Sequence, residues 1–273
     1  MSESQQKKKK RQKFLEEYPS CYFCGGVNPA TTIDHVPPKV CFPDGYAPEG
    51  FILPACKACN EGTTKQDQIF GLYSMVLDFD ESDAKREKNL EKLERLFKGI
   101  NNNYPEALPK RADPVHQVGS VITPKPVAYT FRTPPALEDA IKVMGAKLAH
   151  ALYFRDTGKI LTPEHEFFSG WYQPQRGETK NLTSYLTSLL PKLTVGERSN
   201  IGEYGDRFRY IWGYKEEDFF FYAAQFGQGI ILWGIVCGPG IEKPSGGPLS
   251  DASNWQSGAC GSGAKSHLEN EIQ

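Results

Sequence analysis

Residues 21–67 read CYFCGGVNPATTIDHVPPKVCFPDGYAPEGFILPACKACNEGTTKQD. Two Cys-x-x-Cys pairs, Cys21 with Cys24 and Cys56 with Cys59, bracket an Asp34-His35 dipeptide, and the second pair runs directly into Asn60. Four thiolates at these spacings can close a tetrahedral zinc site with no open coordination position, so the zinc they imply is structural. Chemistry then belongs to what the knot holds. Asp34 and Asn60 offer hard oxygen ligands suited to a magnesium-like ion. His35 is the only histidine among the first hundred residues. An unperturbed pKa of about 6.5 lets a neutral imidazole accept a proton near physiological pH, which makes His35 the candidate general base.

The local pattern around these residues is strand, strand, helix. Thr31, Thr32 and Ile33 are β-branched and favour an extended strand ending at Asp34-His35. Residues 36–50 are dense in Pro and Gly and read as an irregular loop. Phe51, Ile52 and Leu53 form a second short strand that delivers the chain to Cys56. From about Glu61 a helix begins, with Ile69, Phe70, Leu72, Tyr73, Val76 and Leu77 available for an apolar face. Asn60 also suits capping of that helix.

The segments CYFCGG, TIDHVPP, FILPACKACN and TTKQD resemble the HNH (ββα-metal) endonucleases, most closely the zinc-stabilised four-cysteine branch that includes phage endonuclease VII. The resemblance covers residues 21–67 only. It implies an HNH endonuclease, a phosphodiester hydrolase with Asp34 and Asn60 on a catalytic Mg2+ or Mn2+ ion and His35 activating water. Its products would carry 5′-phosphate and 3′-hydroxyl ends. Many members of the family complete the signature with a last histidine on the helix, and here none occurs between His35 and His116. Asp67, two helical turns beyond Asn60, is the expected substitute ligand for the catalytic divalent ion. The implied partner is nucleic acid, DNA in the first instance, and antiviral (phage) defence is the setting by analogy.

Composition bounds the rest. The chain has 273 residues and a formal net charge of −1, so nucleic acid must be attracted by local patches rather than by the whole protein. Lys7 to Lys10, Arg11 and Lys13 form one such patch just ahead of the first cysteine pair. It reads as phosphate-binding or as a solvated disordered terminus. Seven cysteines leave Cys41, Cys237 and Cys260 outside the two pairs, an odd remainder that argues for reduced thiols. With no apolar segment of membrane length and no secretory signal, the expected location is cytoplasmic.

The expected architecture is α+β. A basic disordered tail (1–13) precedes the nuclease domain (14–100), in which a ββα-metal zinc finger is flanked by helices such as the amphipathic stretch 81–99. An α+β domain (101–237) follows, with a helix over 135–154, a weaker one around 182–190, and antiparallel strands at 208–214, 219–226 and 230–237. Residues 238–273 are rich in Gly, Ser and Pro and read as a disordered tail. The role of the second domain is open between substrate recognition, a homo-oligomer contact and a regulatory partner. His116, His150, His165 and His267 belong to no ligand pattern, and the aromatics Tyr210, Trp212, 219–222 and Trp233 read as core at strand spacing. The rival to a nuclease is a non-catalytic zinc-binding module for nucleic acid or protein.

Overall fold

The computed structural model describes residues 3–42, 45, 47–78, 86–108, 112–115, 117–118, 121–122, 128–131, 134–172, 207–216, 219–227, 229–244 and 256–257. It mixes helices with antiparallel sheets, as the α+β expectation requires. The expected helix around 182–190 lies outside the described residues.

The amino-terminal region holds α1 (Glu3–Glu17), β1 (Thr32–His35), β2 (Ile52–Ala55), α2 (Lys57–Gly62), α3 (Thr64–Leu77) and α4 (Arg86–Asn103). The lysine run is therefore helical rather than the disordered tail expected for residues 1–13. Gln, Lys, Arg and Glu are all good helix formers, and no Gly or Pro interrupts them from Glu3 to Glu17. Strands β1 and β2 pair antiparallel, with Asp34 opposite Leu53 and His35 opposite Ile52. The helix expected from Glu61 begins earlier and is broken in two. Thr63 sits between α2 and α3, and its hydroxyl donates to the carbonyls of Cys59 and Asn60, turning the chain into a new axis. Asn60 and Asp67 thus belong to different helices, and the two-turn spacing argument does not apply to them. Helix α4 continues through Asn103, beyond the expected stop at Gly99.

Beyond it come β3 (Ala112–Val115), β4 (Gln117–Val118), β5 (Val121–Ile122) and β6 (Ala128–Phe131), in two small sheets pairing β3 with β6 and β4 with β5. Helix α5 (Pro135–Thr157) is the long helix expected from its apolar and small residues, and Gly158 stops it in the left-handed conformation at φ 69°. The main sheet follows: β7 (Glu166–Tyr172), β8 (Phe208–Glu216), β9 (Phe219–Phe226), β10 (Ile230–Cys237) and β11 (Gln256–Ser257), in the order β11-β7-β10-β9-β8. Sequence patterning located β8, β9 and β10 but not β7, and β11 pairs inside the stretch expected to be a disordered tail.

The expected boundary at residue 100 does not divide the core. One buried cluster runs from Cys21, Tyr22 and Phe51 through Met144 and Leu148 of α5 to Phe208, Phe220 and Tyr222 of the sheet. Edge-on aromatic contacts stitch the regions together, Phe51 with Phe208 at 5.5 Å and Phe70 with Phe226 at 4.9 Å. Helix α5 lies between α3 and the sheet. It can approach closely because Gly145 has no side chain: a Cβ there would come within 2.7 Å of Ser169, and the Gly145 carbonyl accepts a 2.6 Å hydrogen bond from Tyr222. From another side of α5, Lys147 reaches Asp34 of β1.

Candidate functional site

The four cysteines meet as their spacing requires. Their sulfurs all lie within 4.8 Å of one another. The first pair is carried on a knuckle whose turn uses Gly25 and Gly26 at φ 66° and 78°. The second straddles the start of α2, where Cys56 is the N-cap and its sulfur accepts from the Cys59 amide at 3.4 Å. The Cys24 sulfur accepts from the Asn28 amide at 3.3 Å. Crowding splits the thiol equilibria: Cys21 is drawn down to about 5, first by its hydrogen bond with Cys59, and the same contact pushes Cys59 up. A zinc–sulfur bond of 2.3 Å gives a tetrahedron with edges of about 3.8 Å. The cluster fits a metal ion such as zinc.

The Asp34-His35 dipeptide is split by the strand that carries it. Successive side chains on a strand point to opposite faces, and β1 is no exception. Asp34 is turned inward and only 6% exposed, while Ile33 and His35 face a cleft of about 1360 Å³ on the other side. Asp34 accepts a 2.9 Å hydrogen bond from the Tyr22 hydroxyl. Its second partner is Lys147 of α5, whose ammonium lies 3.0 Å away and is itself fully buried. The same ammonium contacts Asp67 at 2.8 and 3.1 Å and the Thr63 hydroxyl at 3.2 Å.

Asp34 and Asp67 arrive from β1 and α3, not by shared helix spacing, and both contact the same group. What lies between them is a protein cation. Burial alone would pull the Lys147 ammonium down, but the two carboxylates outweigh it and hold its pKa above the usual lysine value. Burial pushes Asp67 up to about 6 despite the lysine. Asn60 takes a different part. Its side-chain amide donates to the Ile33 carbonyl at 3.1 Å and the Thr32 hydroxyl at 3.3 Å, bracing β1 against α2. The cap of α2 is Cys56, so Asn60 lies inside the helix rather than at its start. In this arrangement Asp34 and Asp67 do not fit a divalent ion: the space between the two carboxylates is filled by an ammonium at hydrogen-bond distance, which offsets one of their two charges, and Asn60 donates its amide N–H groups to the strand.

His35 has the opposite surroundings. Burial, aided by Lys39, lowers its pKa below the usual histidine value, and Asp34 offsets this only in part. The ring is therefore neutral at physiological pH. Its Nδ1 is buried with no hydrogen-bond partner among the described residues. The cleft that it lines is walled by Lys7, Lys8, Lys10 and Arg11 of α1, by Lys39 after β1, and by Arg155 of α5. No carboxylate occurs among the described lining residues. Arg11 anchors α1 by donating to the Thr32 hydroxyl at 3.2 Å. The Arg155 guanidinium lies over the Phe51 ring at 4.7 Å, which fixes its direction.

Lys147, between the two carboxylates, and Arg155, on the cleft wall, are the charged residues of this region that sequence patterning did not single out. Lys147 had a signal: it sits between Met144 and Ala151 on the apolar stripe of α5, where a lysine is fully buried only when paired. His150 and His165 are buried core residues away from the cleft, and Tyr210 and Trp233 are buried in the sheet, as their spacing suggested. Among the described residues no helix is long and apolar enough to cross a membrane. No protein-family model matches the chain, and no curated protein and no solved structure matches it.

Proposed function

We propose that this protein is a nucleic-acid phosphodiester hydrolase, an endonuclease of the HNH type, in which β1, β2 and α2 with the four-cysteine zinc form the finger and His35 is the general base. The observation that carries this reading is a neutral histidine at a strand end, opening into a cleft walled by six cationic side chains. Phosphodiester hydrolysis needs a group to take the proton of the attacking water and positive charge around the phosphate. The imidazole takes the proton as the water oxygen bonds to phosphorus. The bond from phosphorus to the 3′ oxygen then breaks, and that oxygen collects a proton from solvent, leaving 5′-phosphate and 3′-hydroxyl ends. Arg11, Lys39 and Arg155 hold the phosphate and offset its growing charge. Asp34, Asn60 and Thr63 act as positioning residues that fix β1 and hence the ring of His35.

The rival reading, a non-catalytic zinc-binding module that grips nucleic acid in the same cleft, draws support from the buried ion pairs of Lys147, which take Asp34 out of the chemistry. A plasmid nicking and linearisation assay with magnesium or manganese present, run beside His35→Ala, separates the two. Cleavage by the wild type that falls about 100-fold or more in the variant, with zinc content unchanged, supports the nuclease. Binding without cleavage by either protein supports the rival.

A further inference from the structure

We infer that Lys147 is the resident cation of the Asp34–Asp67 site, a permanent ammonium standing where the nuclease reading would seat a divalent ion, and that this carboxylate pair takes up no divalent metal in the native protein. The inference rests on the HNH reading of β1 and α2, because only there is a metal expected between these carboxylates.

Four observations converge on it. Lys147 has no exposed surface, so its charge can be satisfied only by the groups around it. Those groups form a complete shell: an Asp34 oxygen at 3.0 Å, both Asp67 oxygens at 2.8 and 3.1 Å, and the Thr63 hydroxyl at 3.2 Å. An ammonium has three N–H donors, and these oxygens at 2.8–3.2 Å from Nζ supply acceptors for all of them. The lysine comes from α5, a helix buried along much of its length, so removing it from the site would mean shifting a core element. The Asp34 oxygen that faces the ammonium, Oδ2, also accepts from the Tyr22 hydroxyl at 2.9 Å, which holds that carboxylate in place.

Lys147 thus cross-links the strand carrying the dipeptide to α3 and α5, setting the position of His35 from behind without touching substrate. It is a positioning residue. Its shell is also large and acidic enough that losing the ammonium would leave two unpaired carboxylates facing one gap, an arrangement that attracts a divalent cation.

Manganese titration of the zinc-loaded protein, followed by the electron paramagnetic resonance signal of free Mn2+, tests this directly and does not depend on cleavage. The wild type and Asp67→Asn should give the same curve, with no stoichiometric site below millimolar Mn2+. Lys147→Ala should gain one Mn2+ site, and Lys147→Ala with Asp34→Asn should lose it again. A stoichiometric wild-type site abolished by Asp67→Asn would overturn the inference, as would a folded Lys147→Ala protein that gains no Mn2+. If Lys147→Ala does not fold, the comparison of wild type with Asp67→Asn still decides. A protein that never cleaves nucleic acid but follows this titration pattern would lose the nuclease reading and keep the inference.

Discussion

Asp34 and His35 are neighbours in the chain and occupy two different chemical worlds. Behind β1, Asp34 is sealed against a phenol and a buried ammonium, in a layer completed by Asp67 and Thr63. In front of it, His35 opens on a cleft whose described charged groups are all positive. The two-residue period of a strand imposes this separation, so a dipeptide that looks like one catalytic unit in sequence is two devices in space. One side holds the strand and the other lines the cleft. What makes the inner side possible is α5, which packs on α3 and brings Lys147 to Asp34 and Asp67.

That contrast can be broken at four places. The largest effect is expected at the four-cysteine cluster, which carries the chain into β1 and out of β2. Cys56→Ser removes a metal ligand and the N-cap sulfur of α2 together, so zinc content by metal analysis should fall from one per chain and β1–β2 should lose its amide protection. Retained zinc with an intact thermal transition would show that the four sulfurs do not hold the ion.

Next comes the inner face. Asp34→Ala leaves the Lys147 ammonium paired with Asp67 but takes away one of its acceptors and the acceptor of the buried Tyr22 hydroxyl, and leaving buried donors unsatisfied costs about 1–3 kcal/mol. Chemical denaturation should register that loss, whereas a shift within about 0.5 kcal/mol, the range of ordinary surface substitutions, would mean that the clamp carries little. The outer face predicts a pH effect instead. Protonated His35 cannot accept a proton, so cleavage should decline as pH falls through its pKa. That pKa is lowered by burial and Lys39, so the acid limb should lie below about 6.5, and Lys39→Gln should move it upward. A limb above pH 7 would assign the base elsewhere.

The smallest expected effect is on the wall of the cleft. Lys7→Gln and Lys10→Gln on α1 should each make the dependence of log affinity on log salt shallower, by about 0.9 on duplex DNA for every phosphate that the side chain neutralises. An unchanged slope would leave α1 as a solvated helix outside the binding surface.

Much of this was legible in the sequence, and the gaps have physical causes. The four-cysteine cluster follows from spacing alone, and β8, β9 and β10 follow from runs such as Phe219 to Tyr222 and Ile230 to Trp233, whose strand preference is strong. Strand β7 was missed because Ser169 and Gly170 interrupt its aromatic run, and the glycine is there to let Trp233 of the paired strand lie against the backbone. Helix α1 was missed because a block of like charge reads as disorder even when each residue favours a helix. The convergence of Asp34 with Asp67 could not be read as geometry, since Thr63 breaks the helix assumed to carry Asn60 and Asp67 together. Lys147 lies more than one hundred residues from Asp34 in sequence, and only the packing of α5 makes them neighbours.

The most direct measurement is the cleavage rate of a labelled oligonucleotide per folded molecule for His35→Ala and Asp34→Asn, taken side by side at saturating magnesium with folding checked by thermal unfolding. The separation of the two faces predicts that His35→Ala loses about 100-fold or more in rate with an unchanged transition temperature, whereas Asp34→Asn lowers the transition temperature and keeps most of its rate once the unfolded fraction is discounted. An Asp34→Asn protein that is as stable as the wild type and as inactive as His35→Ala would contradict it.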